Sequence, residues 1–225
     1  MSIRISSAEI LQTSLKALEG HGVAHGLDFD GATNVTWLAT RGLAGISVLV
    51  AELQDTEPGA EWIEPYIEDD DDVATIISKR SSGLLLAPGA TDWALNGQDV
   101  RIPDCHAPLL FVAEAARRSV EGIGFRIKWH AGSARNNARC GHGEAALSLD
   151  LRTVNDASTV TIKLARPPKA KDLARLAAFQ TKSLRDGITV DPHDWDALKV
   201  AARRVLVPTS DRSRGGAGAD VDDSA

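Results

Sequence analysis

The chain is poor in cysteine, in long apolar runs and in surplus positive charge, and each shortage removes a class of protein. Only Cys105 and Cys140 occur among 225 residues. A secreted scaffold stapled by disulfides would carry more, so both are expected as free thiols. No run of about 18 apolar residues exists, so no segment is expected to cross a membrane. Residues 1–12 lack the apolar core of a signal peptide, and the cytoplasm is the expected compartment. Lys and Arg total 25 against 31 Asp and Glu, a formal charge of −6. That balance argues against a nucleic-acid partner, which calls for a basic face, but leaves room for a local cluster that holds a small anion. There is no internal repeat, and no G-x-S-x-G elbow: Ser133 follows Gly132 without a glycine two positions on.

What remains is ordinary globular composition, 43% hydrophobic and 25% charged. Ser6 and Glu9 form a capping box ahead of Ile10, Leu11, Leu15 and Leu18, which share a helical face, and Gly20 and Gly22 end that helix. A second helix is expected to start near Asp28 or Asp30 and to stop at Gly42; Leu43 to Leu53 suggests a third. Residues 1–54 thus read as an N-terminal helical unit. Residues 55–82 read as an acidic linker or excursion, because five consecutive acids, Glu68 to Asp72, repel one another and favour a solvated loop.

Beyond it the strand signal rises. Gly83 to Ala87 is a short apolar run stopped by Pro88-Gly89, and Val100 and Ile102 alternate. Pro108 suits the start of a helix reaching about Val120. Ile123, Phe125, Ile127 and Trp129 alternate with Gly124, Arg126, Lys128 and His130, which predicts a strand with one buried and one polar face. A loop is expected from Ala131 to Gly143, then strands through Ala145 to Leu151 and Val160 to Leu164. Helices follow over Leu173 to Leu184, capped by Gly187, and after Asp191-Pro192. The expected fold is α+β: three N-terminal helices, then an α+β body over 83–207 with a mainly antiparallel sheet packed by helices. Residues 208–225 form a Ser/Arg/Gly-rich tail that composition alone makes flexible.

Several motifs fail on context. Gly141 to Ala146 matches G-x-G-x-x-A, but a polar loop precedes it and an alternating strand follows, whereas a dinucleotide cradle needs a strand before and a helix after. No cofactor site is expected. Cys105-His106 and Cys140-x-His142 could pair as four metal ligands, but adjacent Cys and His side chains on an extended backbone diverge, so no metal is expected. His21 and His25, among glycines, read as a solvent-facing turn.

One cluster survives. Arg126, Lys128 and His130 share a strand face, Arg135 and Arg139 follow in the expected loop, and Lys163 belongs to a neighbouring strand. Arginine presents a fork of donors to a carboxylate or phosphate, so Arg126, Lys128 and Arg135 are candidate ligand-binding residues. His130 is a candidate general base, since an unperturbed imidazole titrates near neutrality.

The chain's two ends resemble a bacterial family known only as domain of unknown function 3726. The residues that carry this are Gly26-Leu27, Asp30, Trp37-Leu38 and Arg41-Gly42-Leu43, with Val207-Pro208, Ser210, Ser213-Arg214 and Gly216 to Ala219 in the tail. Phe29 stands where the family has an acid and Asp220 where it has a glycine. The family carries no activity, so it transfers no catalytic residue. It does imply that the tail folds over the body, which adds Arg214 to the candidate ligand contacts. The same tail could dock on a neighbouring subunit and make a homo-oligomer. The expected function is the binding or transformation of a small anionic metabolite; the alternative is a non-catalytic accessory or interaction subunit.

Overall fold

In the computed structural model, described for residues 2–57, 66–70, 73–78, 81–131, 133–148 and 158–205, the N-terminal helices form as their periodicity demands. Strand β1 (Ile3–Ile5) precedes α1 (Ser7–Gly20), where the Ser6 hydroxyl accepts from the Glu9 amide and occupies one orphan donor of the first turn. Helix α2 (Leu27–Thr40) starts one residue before the expected cap: Gly26 takes the N-cap, and Asp28 caps from inside the first turn by accepting from the Gly26 and Phe29 amides. Gly42, at φ 70°, turns the chain out of α2 so that α3 (Gly45–Gln54) folds back on it.

The acidic stretch is not a plain loop. Glu68 lies in strand β2 (Tyr66–Asp70), which runs antiparallel to β3 (Val73–Ile77). Strand pairing supplies the hydrogen bonds that offset charge repulsion along one edge. The apolar run after Ser82 is also not a strand but helix α4 (Gly83–Leu95). The Ser82 hydroxyl accepts from the Leu84 amide and caps it, and Pro88 lies inside the helix, where it forfeits the bond its amide would make to the Leu84 carbonyl. A helix buried nearly all round, with Leu84, Leu86, Ala87, Ala90 and Ala94 inside, shows no polar face and so imitates a buried strand in sequence.

Strand β4 (Asp99–Cys105) leads to α5 (Leu109–Arg118), with Pro108 at its cap. Next come β5 (Gly124–Ala131), β6 (Ala134–Gly141), β7 (Glu144–Ser148) and β8 (Ser158–Ala165). The expected loop from Ala131 to Gly143 is therefore mostly strand β6. Its inward residues are Asn136, Ala138 and Cys140, too small and polar to give an apolar alternation, so the period was hidden. Helix α6 (Ala170–Asp186) ends at Gly187, strand β9 (Ile188–Val190) pairs with β1, and α7 (Pro192–Ala202) is capped by Asp191 before a short 3-10 turn, Arg203–Val205.

The main sheet has the order β2-β3-β4-β8-β5-β6-β7 and is antiparallel except for the β3–β4 pair. With the helices, this is the mixed α+β architecture expected. Helices α4, α5 and α6 pack on the sheet, while α1 packs against α2 and α7. Phe125, Ile127 and Trp129 are fully buried on the helix side. Opposite them, Arg126, Lys128 and His130 stand exposed, so the register of β5 is the one its alternation gives.

Candidate functional site: the basic face of the sheet

Three central strands carry the candidate site. Arg126 of β5 lies opposite Arg139 of β6 on one side and Lys163 of β8 on the other. Facing residues on neighbouring strands have Cβ atoms about 4.5–5.5 Å apart, and like charges placed so are destabilising. Lys163 is paired with Asp99 of β4. Among the described residues Asp99 is the one carboxylate paired to this row, and neither Arg126 nor Arg139 has an ionic partner there. Arg139 is half-buried, and its Nε is enclosed without a hydrogen-bond partner. Asn137, two residues along β6, leaves its Oδ1 unpaired in the same way. Arg126, Arg139, Lys163 and Arg166 line a cavity of about 370 Å³ with Leu164 and Ala165.

The other sequence candidates spread along the same face. Lys128 lies opposite Asn137 and Thr161, and His130 opposite Arg135, nearer the β5–β6 turn. At about 3.3 Å per residue, His130 stands some 13 Å along the strand from Arg126. None of these three lines the cavity. Arg214 lies outside the described residues. The loop expected over Ala131 to Gly143 holds Arg139, which the structure puts in β6 instead, and nothing in the sequence pattern singles out Arg166. The signal for Arg139 was present, since Arg135, Asn137 and Arg139 recur every second residue.

The rejected motifs have structural explanations. Gly141 to Ala146 forms the β6–β7 hairpin, with His142 and Gly143 at φ 55° and 76°. Strand leads to strand there, so no helix N-terminus faces a phosphate. The hairpin is instead clamped to the helical layer. Trp37 Nε1 donates to the Gly143 carbonyl at 3.1 Å, and Arg41 binds Glu144 through Nε at 2.8 Å and Nη2 at 2.5 Å. The Arg41 guanidinium also lies 4.1 Å from the centre of the Trp37 ring. Trp37, Arg41 and Gly42, which carry the family resemblance, therefore act here as a helix stop and an interlayer clamp.

Cys105 and Cys140 are both free and fully buried, bonded through sulfur to the carbonyls of His106 and Val112. Burial pushes both thiols up from their ordinary value, Cys105 with a further contribution from the Glu52 carboxylate. Among the described residues no group of three or more potential metal ligands gathers. His25 is exposed as expected, but His21 is buried, because it closes the C-terminus of α1 instead of lying in an open turn.

Comparison with known proteins agrees with the α+β reading. The chain shares its fold with a set of solved dehydrogenases. A dehydrogenase from Sinorhizobium meliloti aligns at 13% identity and a TM-score of 0.65, covering 90% of this chain and 100% of that one. Malate dehydrogenase from Pyrococcus horikoshii OT3 aligns at 11% and 0.65, covering 93% and 97%. A putative malate/lactate dehydrogenase from E. coli aligns at 10% and 0.63, covering 95% and 98%. Over residues 5–83 the chain matches the family described as Protein of unknown function (DUF3726), so the resemblance carried by Gly26 to Leu43 holds. No curated protein matches the chain in sequence. Among the described residues no helix is long and apolar enough to cross a membrane.

Proposed function

We propose that the protein binds a small organic anion of the carboxylate class on the outer face of β5, β6 and β8. The observation that carries this reading is the like-charge row Arg139–Arg126–Lys163, which borders a cavity and is paired within the described residues only through Asp99. Such a row costs stability in the free protein, and a bound anion removes the cost. Arg126, Arg139 and Arg166 make the first contacts. Lys128 and Arg135 extend the positive field along the strand, and Arg214 joins if the tail folds over this face. The names of the structural neighbours, malate and lactate dehydrogenases, point to the same ligand class, since both substrates are carboxylates.

Hydride transfer is not part of the proposal. Among the described residues the glycine-rich stretch Gly141 to Ala146 is the β6–β7 hairpin, which does not fit a dinucleotide. His130 is a proton acceptor only for a ligand long enough to reach it from the cavity.

Isothermal titration with malate, lactate and succinate tests the reading. At least one should bind the wild-type chain, and Arg126→Gln with Arg139→Gln should weaken it by about tenfold or more, the worth of one charge-assisted hydrogen bond. If none of the carboxylates binds, the chain is better read as an accessory protein that grips a partner.

A further inference from the structure

A second cavity lies away from the basic face, where the C-terminal ends of α1, α3 and α7 meet. It measures about 490 Å³, within the range of small-molecule sites. Its walls are largely apolar: Val50 and Leu53 from α3 and Ala197, Leu198 and Ala201 from α7. One cation, the exposed Arg204, stands at its edge. Arg204 Nη1 lies 2.9 Å from Nε2 of His21. Nδ1 of that imidazole lies 3.1 Å from the Ala17 carbonyl. Nε2 in turn lies 3.1 Å from the Leu53 carbonyl, so both ring nitrogens face backbone oxygens and a neutral ring donates to one of them, while Arg204 Nη1, 3.5 Å from Nδ1 as well, rests against the ring. Burial and the neighbouring guanidinium both favour that neutral form. Gly20 permits the approach, for a Cβ there would meet the Arg204 Cβ at 3.0 Å.

The arrangement is unusual in a chain with excess acid. The exposed Arg204 guanidinium rests against the buried His21 ring, and among the described residues it has no carboxylate partner. Its other donors remain available beside an apolar floor. Glu57 borders the cavity but is exposed at its mouth. We propose that this cavity is a binding site for a monocarboxylate with an apolar body, its carboxylate on Arg204 and its carbon chain over Ala197 and Val200. The site stands independently of the basic sheet face.

The test is calorimetric titration of the full chain with octanoate, with octylamine as the charge-reversed control. Octanoate should bind and octylamine should not. Arg204→Gln should weaken octanoate by about tenfold or more, Ala197→Phe should block it by filling the floor, and Glu57→Gln should leave it equal or tighter. The proposal is overturned if octanoate fails to bind, if octylamine binds as well, or if Arg204→Gln binds within twofold of wild type. Weaker octanoate binding by Glu57→Gln would mean that Glu57 supports the bound state instead of opposing its charge, and binding only after removal of residues 206–225 would make the chain's own tail the occupant; either result refutes the assignment.

Discussion

Removing one side of the Arg41–Glu144 pair should be among the most costly single changes in the protein. The two side chains are 5% and 13% exposed, and they join α2 to the β6–β7 hairpin. Breaking a buried pair by deleting one partner typically costs about 3–5 kcal/mol, because the other charge is left without compensation. Arg41 keeps its contacts to the Trp37 carbonyl at 3.3 Å, to Thr40 Oγ1 at 3.1 Å and to the Trp37 ring. The loss for Glu144→Leu therefore belongs at the low end, about 3 kcal/mol. Arg41→Met removes the ring contact too and strands Glu144, and should cost at least as much. The double variant Arg41→Met/Glu144→Leu leaves no stranded charge, and apolar replacement of a whole buried pair is often near neutral. Urea unfolding of the four proteins then gives a double-mutant cycle. The double variant should be more stable than the sum of the singles by at least about 3 kcal/mol, and by about 6 if it is neutral. Additive losses, or single losses below about 0.5 kcal/mol, the scale of an ordinary surface substitution, would refute the clamp.

Other consequences follow from the same contacts. Ile127→Ala should lower unfolding free energy by about 2–5 kcal/mol, since Ile127 is fully buried between Ala138 and Ile162, whereas the exposed Lys128→Ala should change it by less than about 0.5 kcal/mol; the reverse order in urea melts would contradict the register of β5. His21 is held below its ordinary value of 6.5, chiefly by burial, so below that pH the unfolded chain takes up a proton that the folded chain refuses. Stability should therefore fall as pH drops from 6.5 toward the lowered folded value, by at most about 1.4 kcal/mol per pH unit, and His21→Gln should remove that part of the slope. Both thiols should resist maleimide in the native state and react after denaturation, and rapid native labelling of either would contradict their burial.

How much of this was legible depended on how strongly each segment advertised a single period. Strand β5 did so, because Phe125, Ile127 and Trp129 are large and apolar while Arg126, Lys128 and His130 are charged or polar. The caps at Ser6, Gly187 and Asp191 were local signals and formed as written. Strand β6 is hidden because its inward face is made of Asn136, Ala138 and Cys140, so in sequence half of the basic face reads as a loop. Helix α4 was hidden by the opposite fault, since an element apolar on every side has no period to read. The pairing of β1 with β9 joins residues some 185 apart, and three-residue strands carry too little pattern to announce it. The His21–Arg204 contact joins residues 183 apart, a juxtaposition that no spacing rule contains.

The central claim is that the Arg139–Arg126–Lys163 row is kept at a cost because an anion uses it. The most direct test is the melting temperature of wild type and Arg126→Gln, each with and without malate, lactate or succinate. Without ligand, Arg126→Gln should melt at or above the wild-type temperature, because relief of a cross-strand like-charge pair is worth about 0.2–1 kcal/mol. With ligand, wild type should rise and the variant should lag behind it, since a ligand stabilises only the state that binds it. An Arg126→Gln protein that melts lower in buffer alone, or a wild type whose melting temperature none of the carboxylates moves, would contradict the account.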